Sequence, residues 1–196
     1  MTERIPEPDT HPGSRTPAVW LATVFRRLAQ AIADPADPFR TPVLATIGAD
    51  GAPAVRHVVL REAVASNARL TAWTDARSQK CAEIAGDGRV SWLFWDPTRR
   101  LQARLSGRAE VVRQGPRCEA TWSGISTTRR REYLAIVAPG AILGANDPDR
   151  AAAPAFALID SWVDSADLLQ LDRLGHRRAR LSRTSDGDWF GDWVEP

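Results

Sequence analysis

The stretch "RLQARLSGRAEVV", residues 100–112, shows the clearest secondary-structure pattern in the chain. Apolar and polar residues alternate along it with a period of two, as in a β-strand that has one buried and one exposed face. The apolar face carries Leu101, Ala103, Leu105, Ala109 and Val111, and the polar face carries Arg100, Gln102, Arg104, Ser106, Arg108 and Glu110. We predict a long, half-buried strand with a mostly basic outer face.

Similar patterns lie on both sides of this strand. "TPVLATIGADGAPAVRHVVLRE", residues 41–62, contains two β-branched runs around Asp50-Gly51, which predicts a hairpin of two strands. "RLTAWTD" and "GRVSWLFWD" predict a third and a fourth strand. "AFALIDSW" and "DLLQLD" predict two short strands, and "HRRARLSRTSDGDWFGDWV" predicts a closing hairpin around Asp186-Gly187.

Helical patterns separate these strands. In residues 17–34 the apolar residues recur at every fourth position, which predicts a helix with a stripe of Trp20, Val24, Leu28 and Ile32. A short helix is predicted near residues 77–86, and residues 116–136 predict helix with a break near Ser123-Gly124. Residues 138–154 are predicted to be a loop.

Many antiparallel strands with one short helix after the third indicate a mainly β (α+β) fold, a closed or nearly closed barrel with flanking helices. The Pro-rich and polar residues 1–16 are predicted to be a disordered segment, and residues 17–196 a single domain.

Composition excludes several classes of protein. The chain has 196 residues, 43% of them hydrophobic, which is enough for a core. Its 26 basic and 24 acidic residues leave a net charge of +2, which argues against nucleic-acid binding by bulk charge. Cys81 and Cys118 have no Cys/His cluster around them, so we predict neither a disulfide framework nor a metal site, and a reducing cytoplasm fits best. No apolar run predicts a membrane span, and the N-terminus lacks the apolar core of a signal peptide.

Lys80 is out of place in "WTDARSQKCAEIAG", residues 73–86. It falls in the first turn of the predicted short helix, where the helix dipole disfavours a cation, and it is the only lysine among the 26 basic residues. A solvated surface lysine is the simpler explanation. A bound phosphate is the other, because a helix start offers unpaired N–H groups and an ammonium is a compact counter-charge.

Other predicted elements carry groups that suit an anion. Arg56 lies on the second predicted strand, Thr74 precedes the short helix, and Gln102 and Arg104 lie on the outer face of the fifth. Taken singly, each also fits a solvated surface residue. The eight tryptophans fit core packing and interface contacts, and a ring system stacked near Trp73 is a further option.

Three blocks in order, "RHVVLR", "WTDARSQK" and "FWDPTRRLQARLSGRAEVV", resemble the cofactor-binding blocks of the pyridoxamine 5'-phosphate oxidase family, whose fold is the FMN-binding split β-barrel. The similarity covers roughly residues 38–113. It extends more loosely to the C-terminal hairpin, where "HRRARL" and "DGDWFGDWVEP" resemble the family's arginine-containing strand and its ending.

The resemblance implies FMN as cofactor, with Arg56 and Lys80 at its phosphate. It further implies a homodimer whose flavin site lies between two protomers, with Arg180 reaching the ring from the second subunit. The implied cofactor-binding set is Arg56, His57, Val58, Val59, Arg61, Trp73, Thr74, Gln79, Lys80, Gln102 and Arg180.

Departures from the family pattern concern the substrate and, at Gln79, the cofactor. Arg61 stands where the oxidase has a lysine that helps to hold pyridoxal phosphate, and Gln79 stands where an arginine is common. Arg61 and Arg178 are the substrate-binding candidates, and a one-residue gap leaves open whether Arg178 or Arg180 meets the flavin.

Three functions are compatible with these residues. The first is an FMN-dependent oxidoreductase, and the second is a module that binds FMN or another phosphorylated ligand without turnover. The third is a nucleic-acid-binding barrel that uses the basic strand face, which lacks the interleaved aromatic residues that stack on bases. We expect a small-molecule substrate and neither nucleic acid nor membrane as partner.

Overall fold

A computed structural model describes residues 16–134, 137–140 and 154–196. The predicted disordered segment lies outside the described residues except for Thr16, and so does most of the predicted loop at 138–154. The helices of the described ranges are α1 (Pro17–Ala31), α2 (Gln79–Gly86), α3 (Pro116–Gly124) and α4 (Thr127–Arg130). The strands are β1 (Val43–Ile47), β2 (Pro53–His57), β3 (Leu60–Val64), β4 (Arg69–Asp75), β5 (Arg89–Asp96), β6 (Leu101–Val112), β7 (Phe156–Gln170), β8 (Arg177–Arg183) and β9 (Trp189–Val194).

The strands form one antiparallel sheet, which confirms the mainly β prediction. Its order is β2-β1-β5-β6-β7-β4-β3, and β8 and β9 branch from β7. Strand β7 pairs with β6 along one edge, while its other edge pairs first with β4 and then with β8. The sheet therefore divides at β7, and the two halves pack around a shared core.

Two strand predictions were wrong. The run predicted as one strand through residue 62 is two strands, because β2 pairs with β1 whereas β3 pairs with β4. The two short strands predicted at 155–162 and 167–172 are instead parts of the single strand β7. Its pairing with β6 skips Asp164 at a register shift, which is a β-bulge. The strand therefore continues through residues 163–166, where the sequence suggested a break.

Strand β6 has the predicted two faces. Leu101, Ala103 and Leu105 are buried, whereas Arg104, Arg108 and Glu110 are exposed. Gly107 lies where β6 approaches β7 closely, since a Cβ at this position would be 2.0 Å from the Trp162 carbonyl oxygen. Glycine is thus required by the bulge in the neighbouring strand.

The core has a main cluster and a smaller one. The main cluster joins the buried sheet faces to the α1 stripe of Trp20, Val24 and Leu28, as the four-residue spacing predicted. The smaller cluster lies under α3 and contains Cys118, Ile125, Tyr133, Phe156 and Leu158. None of the helices in the described ranges is long and apolar enough to cross a membrane.

Candidate cofactor site

The turn between β4 and α2 determines where Lys80 lies. The Asp75 carboxylate accepts hydrogen bonds from the Arg77 backbone amide at 2.8 Å and from its guanidinium at 2.7 Å, which holds the turn. Ser78 is the N-cap residue of α2, so Lys80 lies in the first helical turn, as predicted. The Ser78 side chain does not cap the helix, and its hydroxyl lies 3.1 Å from that of Thr74 instead. The Cys81 amide donates to the Ser78 carbonyl at 2.9 Å, so within the described residues the first two amides of α2, those of Gln79 and Lys80, remain open to another acceptor.

Lys80 is held at this helix start by a neutral partner. Its Nζ donates to the Thr74 hydroxyl at 3.1 Å. Burial lowers the pKa of Lys80, and Arg56 nearby acts in the same direction. Within the described residues no carboxylate forms an ion pair with the ammonium. The described chain thus keeps a half-buried cation at a helix start, where a cation is disfavoured, and the nearby carboxylates Asp75 and Glu83 form ion pairs with arginines and not with Lys80.

Arg56 is more engaged than the sequence indicated. Its Nη2 lies 2.7 Å from Oε2 of Glu83 on α2, and its Nη1 donates to the Thr46 hydroxyl. The same Glu83 oxygen accepts from Thr46 at 2.5 Å. Burial by itself raises the pKa of Glu83, but these hydrogen bonds and the positive charge of Arg56 outweigh it and lower that pKa. Glu83 and Thr46 thus accept hydrogen bonds from two nitrogens of Arg56, the guanidinium that was predicted to bind phosphate.

Arg61 and Trp73 form a second part of the site. The pairing of β3 with β4 shifts register between Leu60 and Glu62, which places Arg61 in a bulge. Its guanidinium carbon lies 4.4 Å from the centroid of the Trp73 ring, and its Nε is buried without a hydrogen-bond partner. A bulge that re-aims one side chain is a common feature beside binding sites.

Tyr133 closes this part of the site from the side of α4. It is buried, and its ring lies edge-on to Phe156 with centroids 5.1 Å apart. Burial raises the pKa of its hydroxyl, which a hydrogen bond with Arg61 partly offsets. Arg61 therefore lies over the Trp73 ring and beside the Tyr133 hydroxyl, and burial lowers the pKa of its guanidinium.

The remaining predicted residues differ in what they offer. His57 is exposed, with Nδ1 3.2 Å from the Thr41 carbonyl oxygen, whereas the Val58 side chain belongs to the core. Val59 is partly buried between β2 and β3. Gln79 is exposed on α2 and helps to lower the pKa of Glu83. Gln102 is half-exposed on the outer face of β6, opposite Trp95.

Arg178 and Arg180 form a separate cluster on β8. Both contact Asp167 of β7, Arg178 through two bonds of 2.9 and 2.8 Å and Arg180 through one of 3.4 Å. The structure thus brings Arg56, Thr74, Gln79 and Lys80 together around α2. It places Arg61 beside Trp73 in a second group. The two β8 arginines belong to neither group, because both contact Asp167.

Sequence reasoning missed Thr46, Ser78, Glu83, Tyr133 and Asp167. Glu83 gave a weak signal, because it lies one helical turn after Gln79 and so shares its side of α2. Ser78 is the local N-cap of α2 and lies four residues from its partner Thr74, whereas Thr46, Tyr133 and Asp167 meet partners on distant segments that the local sequence does not identify.

The groups around α2 fit a phosphate. A phosphate needs positive charge and several donors, and this helix start offers the Lys80 ammonium, the hydroxyls of Thr74 and Ser78 and open backbone amides. A phosphate would supply the direct ion-pair partner that Lys80 lacks among the described residues. The fold and this donor set define a class, an antiparallel split-sheet protein with a candidate site for a phosphorylated ligand.

Comparison with known proteins identifies the family. Residues 17–113 match the family model described as "Pyridoxamine 5'-phosphate oxidase, FMN-binding domain". Over 69 residues the chain is 35% identical to the pyridoxine/pyridoxamine 5'-phosphate oxidase of Thermosynechococcus vestitus, a match that covers 35% of this chain and 32% of that protein. The chain therefore matches about a third of the length of this curated relative.

Two solved structures share the fold. A pyridoxamine 5'-phosphate oxidase-related, FMN binding protein from Nostoc punctiforme superposes with a TM-score of 0.74 at 21% identity, over 93% of this chain and 100% of that one. PhzG from Burkholderia lata, solved with tetrahydrophenazine-1-carboxylic acid, gives a TM-score of 0.71 at 21% identity, over 92% of this chain and 94% of that one. Through residues 17–113 the chain belongs to the pyridoxamine 5'-phosphate oxidase-like FMN-binding split-barrel family, and its cofactor is FMN.

Proposed function

We propose that this protein is an FMN-dependent oxidoreductase that acts on a small anionic substrate, as a homodimer in the cytoplasm. The observation that carries the proposal is the half-buried ammonium of Lys80 beside Thr74 and the open amides of α2, within a domain that matches the FMN-binding family. In this proposal Lys80, Thr74 and the first amides of α2 hold the FMN phosphate.

Arg56 has a modified role in this proposal. Two of its nitrogens are engaged by Glu83 and Thr46, so it acts mainly through its positive charge and through the N–H groups that remain. The Glu83 carboxylate fixes its position and offsets part of its charge. Gln79, exposed one residue before Lys80, adds an amide at the rim of the same site.

The segment from Arg56 to Arg61 and the Trp73 ring provide a wall for the flavin. Since Val58 is in the core, it offers only its backbone, whereas His57 and Val59 have side chains that solvent reaches. Gln102 supplies an amide that both donates and accepts, which suits the polar edge of the ring. When bound, FMN supplies transfer of a hydride or of two electrons, and a fixed cation or amide nearby stabilises the negative charge of the reduced ring.

Arg61 and Arg178 are the proposed contacts to the substrate. Arg61 is the stronger candidate, because its guanidinium lies over the Trp73 ring beside the Tyr133 hydroxyl and forms no ion pair with a carboxylate among the described residues. An anionic group on an aromatic or heterocyclic substrate would satisfy both the charge and the rings. Pyridoxine and pyridoxamine phosphates are of this kind, and the Thermosynechococcus relative is named for them.

The proposed dimer uses the outer face of the sheet. Val55, Leu93 and Trp95 project from β2 and β5 with 66%, 37% and 43% exposure, and Gln102 lies beside Trp95 on β6. Large exposed apolar side chains on one sheet face indicate an interface. A partner placed there would bring its own Arg180 to the flavin site, as the family resemblance implies.

One experiment tests the cofactor and the chemistry in sequence. The purified protein should be yellow and should release FMN on unfolding, and the bound flavin should be bleached anaerobically by a reducing substrate. Donors to compare are pyridoxamine phosphate, pyridoxine phosphate and reduced nicotinamides. A colourless protein that takes up no added FMN would contradict the proposal, whereas bound flavin that no donor reduces would favour a binding module without turnover.

A further inference from the structure

One carboxylate on the outer face of the sheet holds three arginines. Asp167 on β7 contacts Arg178 through two bonds of 2.9 and 2.8 Å, Arg104 at 2.8 Å and Arg180 at 3.4 Å. The arginines come from the strands on either side, Arg104 from β6 and the other two from β8. A single negative charge is thus shared by three positive ones.

The register of the sheet explains this cluster. Arg104, Asp167 and Arg180 stand directly opposite one another in a row across three strands, and Gln102 and Arg178 belong to the adjacent row. The side chain of Asp167 is only 8% exposed. The hydrogen bond from Arg178, together with the positive charge of all three arginines, lowers the pKa of Asp167. The carboxylate is therefore ionised, and the arginines that surround it also cover it.

The three arginines are held to different degrees. Arg178 is fixed by a two-bond pair, the geometry in which guanidinium and carboxylate bind best. Arg180 makes one long contact through Nε and is 62% exposed, so its two Nη groups are available to a ligand within the described part of the chain. The cluster borders an open cleft of about 470 Å³, lined also by the serines of the next row, Ser91, Ser106, Ser165 and Ser182.

We propose that Asp167 is a positioning residue for the flavin site, an inference that rests on the proposed function. Its carboxylate anchors Arg178 and aligns Arg104 and Arg180 in the row beside Gln102. The three fixed arginines then present a positive face to the FMN of the partner protomer. Without this charge the three guanidiniums repel one another and turn freely. Fixed donors bind an anion better than mobile ones, because less side-chain freedom is lost on binding.

The test compares Asp167→Asn with Asp192→Asn. Asp192 lies opposite Arg180 on β9, is exposed, and forms no ion pair among the described residues, so its loss makes the same change in net charge without breaking the cluster. Apo protein is titrated with FMN while flavin fluorescence is followed. We expect Asp167→Asn to weaken FMN binding roughly tenfold, the size of one charge-assisted hydrogen bond, and Asp192→Asn to leave it unchanged.

Asp167→Glu provides a second measurement in case the asparagine variant does not fold. It keeps the charge but moves it by one methylene, so its affinity should lie between those of the wild type and the asparagine variant. Wild-type or tighter binding by Asp167→Asn, or binding by Asp167→Glu that is tighter than the wild type, would overturn the inference, since the carboxylate would then be only a competitor for the arginines. A wild-type protein that binds no FMN would contradict the proposed function and this inference together.

Discussion

The ammonium of Lys80 lies 3.1 Å from the hydroxyl of Thr74, at a helix start where the backbone already carries partial positive charge. Its neighbours inside the described chain are a hydroxyl, the guanidinium of Arg56 and carboxylates that belong to other pairs, Asp75 with Arg77 and Glu83 with Arg56. Lys80 on α2 and Arg56 on β2 are thus neighbouring cations, and Glu83 on α2 is the carboxylate that pairs with Arg56. A bound anion resolves this arrangement, and the predictions below begin with it.

Replacing Lys80 should weaken cofactor binding. Lys80→Ala removes a charged donor from the proposed phosphate, so we expect FMN affinity to fall roughly ten- to a hundredfold. Arg108→Ala is the matched control, because Arg108 is an exposed cation on β6. Fluorescence titration of both apo variants gives the two affinities. Equal losses in the two variants would place the phosphate elsewhere.

The Arg56–Glu83 pair should stabilise the fold as well as the site. Arg56→Ala removes the ion-pair partner of Glu83, whose side chain is only 3% exposed, so the free energy of unfolding should fall by about 3 kcal/mol. Urea unfolding measures it. Arg89→Ala breaks the exposed pair with Asp87 and should change the same quantity by less than about 1 kcal/mol. Similar values for both variants would show that the buried pair contributes little.

Tyr133 gives a pH signal free of other tyrosines, because the chain has one tyrosine. Burial raises the pKa of its hydroxyl above the ordinary value of about 10, so the folded protein should keep it neutral at pH values where the unfolded chain ionises. The stabilisation from this neutral hydroxyl is complete below the unfolded pKa and is lost as pH rises through the folded pKa. Tyrosinate absorbance, recorded with and without urea, should show the two transitions. A native transition at or below the unfolded one would contradict the buried placement.

Gly107 should tolerate no side chain. Gly107→Ala places a methyl group against the Trp162 carbonyl at the β7 bulge, and we expect a loss of about 3 kcal/mol in the free energy of unfolding. Gly124→Ala at the end of α3 meets nothing within 4 Å and should change it by less than about 1 kcal/mol. Thermal and urea unfolding of both variants provide the comparison. A well-tolerated Gly107→Ala would mean that β6 and β7 are not in this register.

The proposed dimer should depend on the apolar outer face of β5. Leu93→Asp introduces a charge among Val55, Trp95 and their neighbours and should yield a monomer in sedimentation velocity, with weaker FMN binding because the second subunit is lost. Val19→Asp changes an apolar residue of α1 that is 45% exposed, and it should leave the oligomeric state unchanged. A Leu93→Asp protein that sediments as the wild type does would exclude this face as the interface.

The sequence by itself determined the features that depend on near neighbours. The alternation in β6 predicted its buried and exposed faces, and the spacing of Trp20, Val24 and Leu28 predicted the buried stripe of α1. The short helix with Lys80 in its first turn was also confirmed. These are consequences of a period of two or of 3.6 residues, which a chain carries locally.

Tertiary structure alone decided which charges meet. Arg56 and Glu83 are 27 residues apart, and Arg104 and Asp167 are 63 apart, so their contacts depend on how strands and helices pair rather than on local spacing. The bulges at Arg61 and Asp164 come from strand register, which side-chain periodicity alone does not reveal. Register depends on the total packing and hydrogen bonding of two segments that are distant in sequence. For this reason the sequence predicted Lys80 at the start of α2 but did not predict that Glu83 pairs with Arg56.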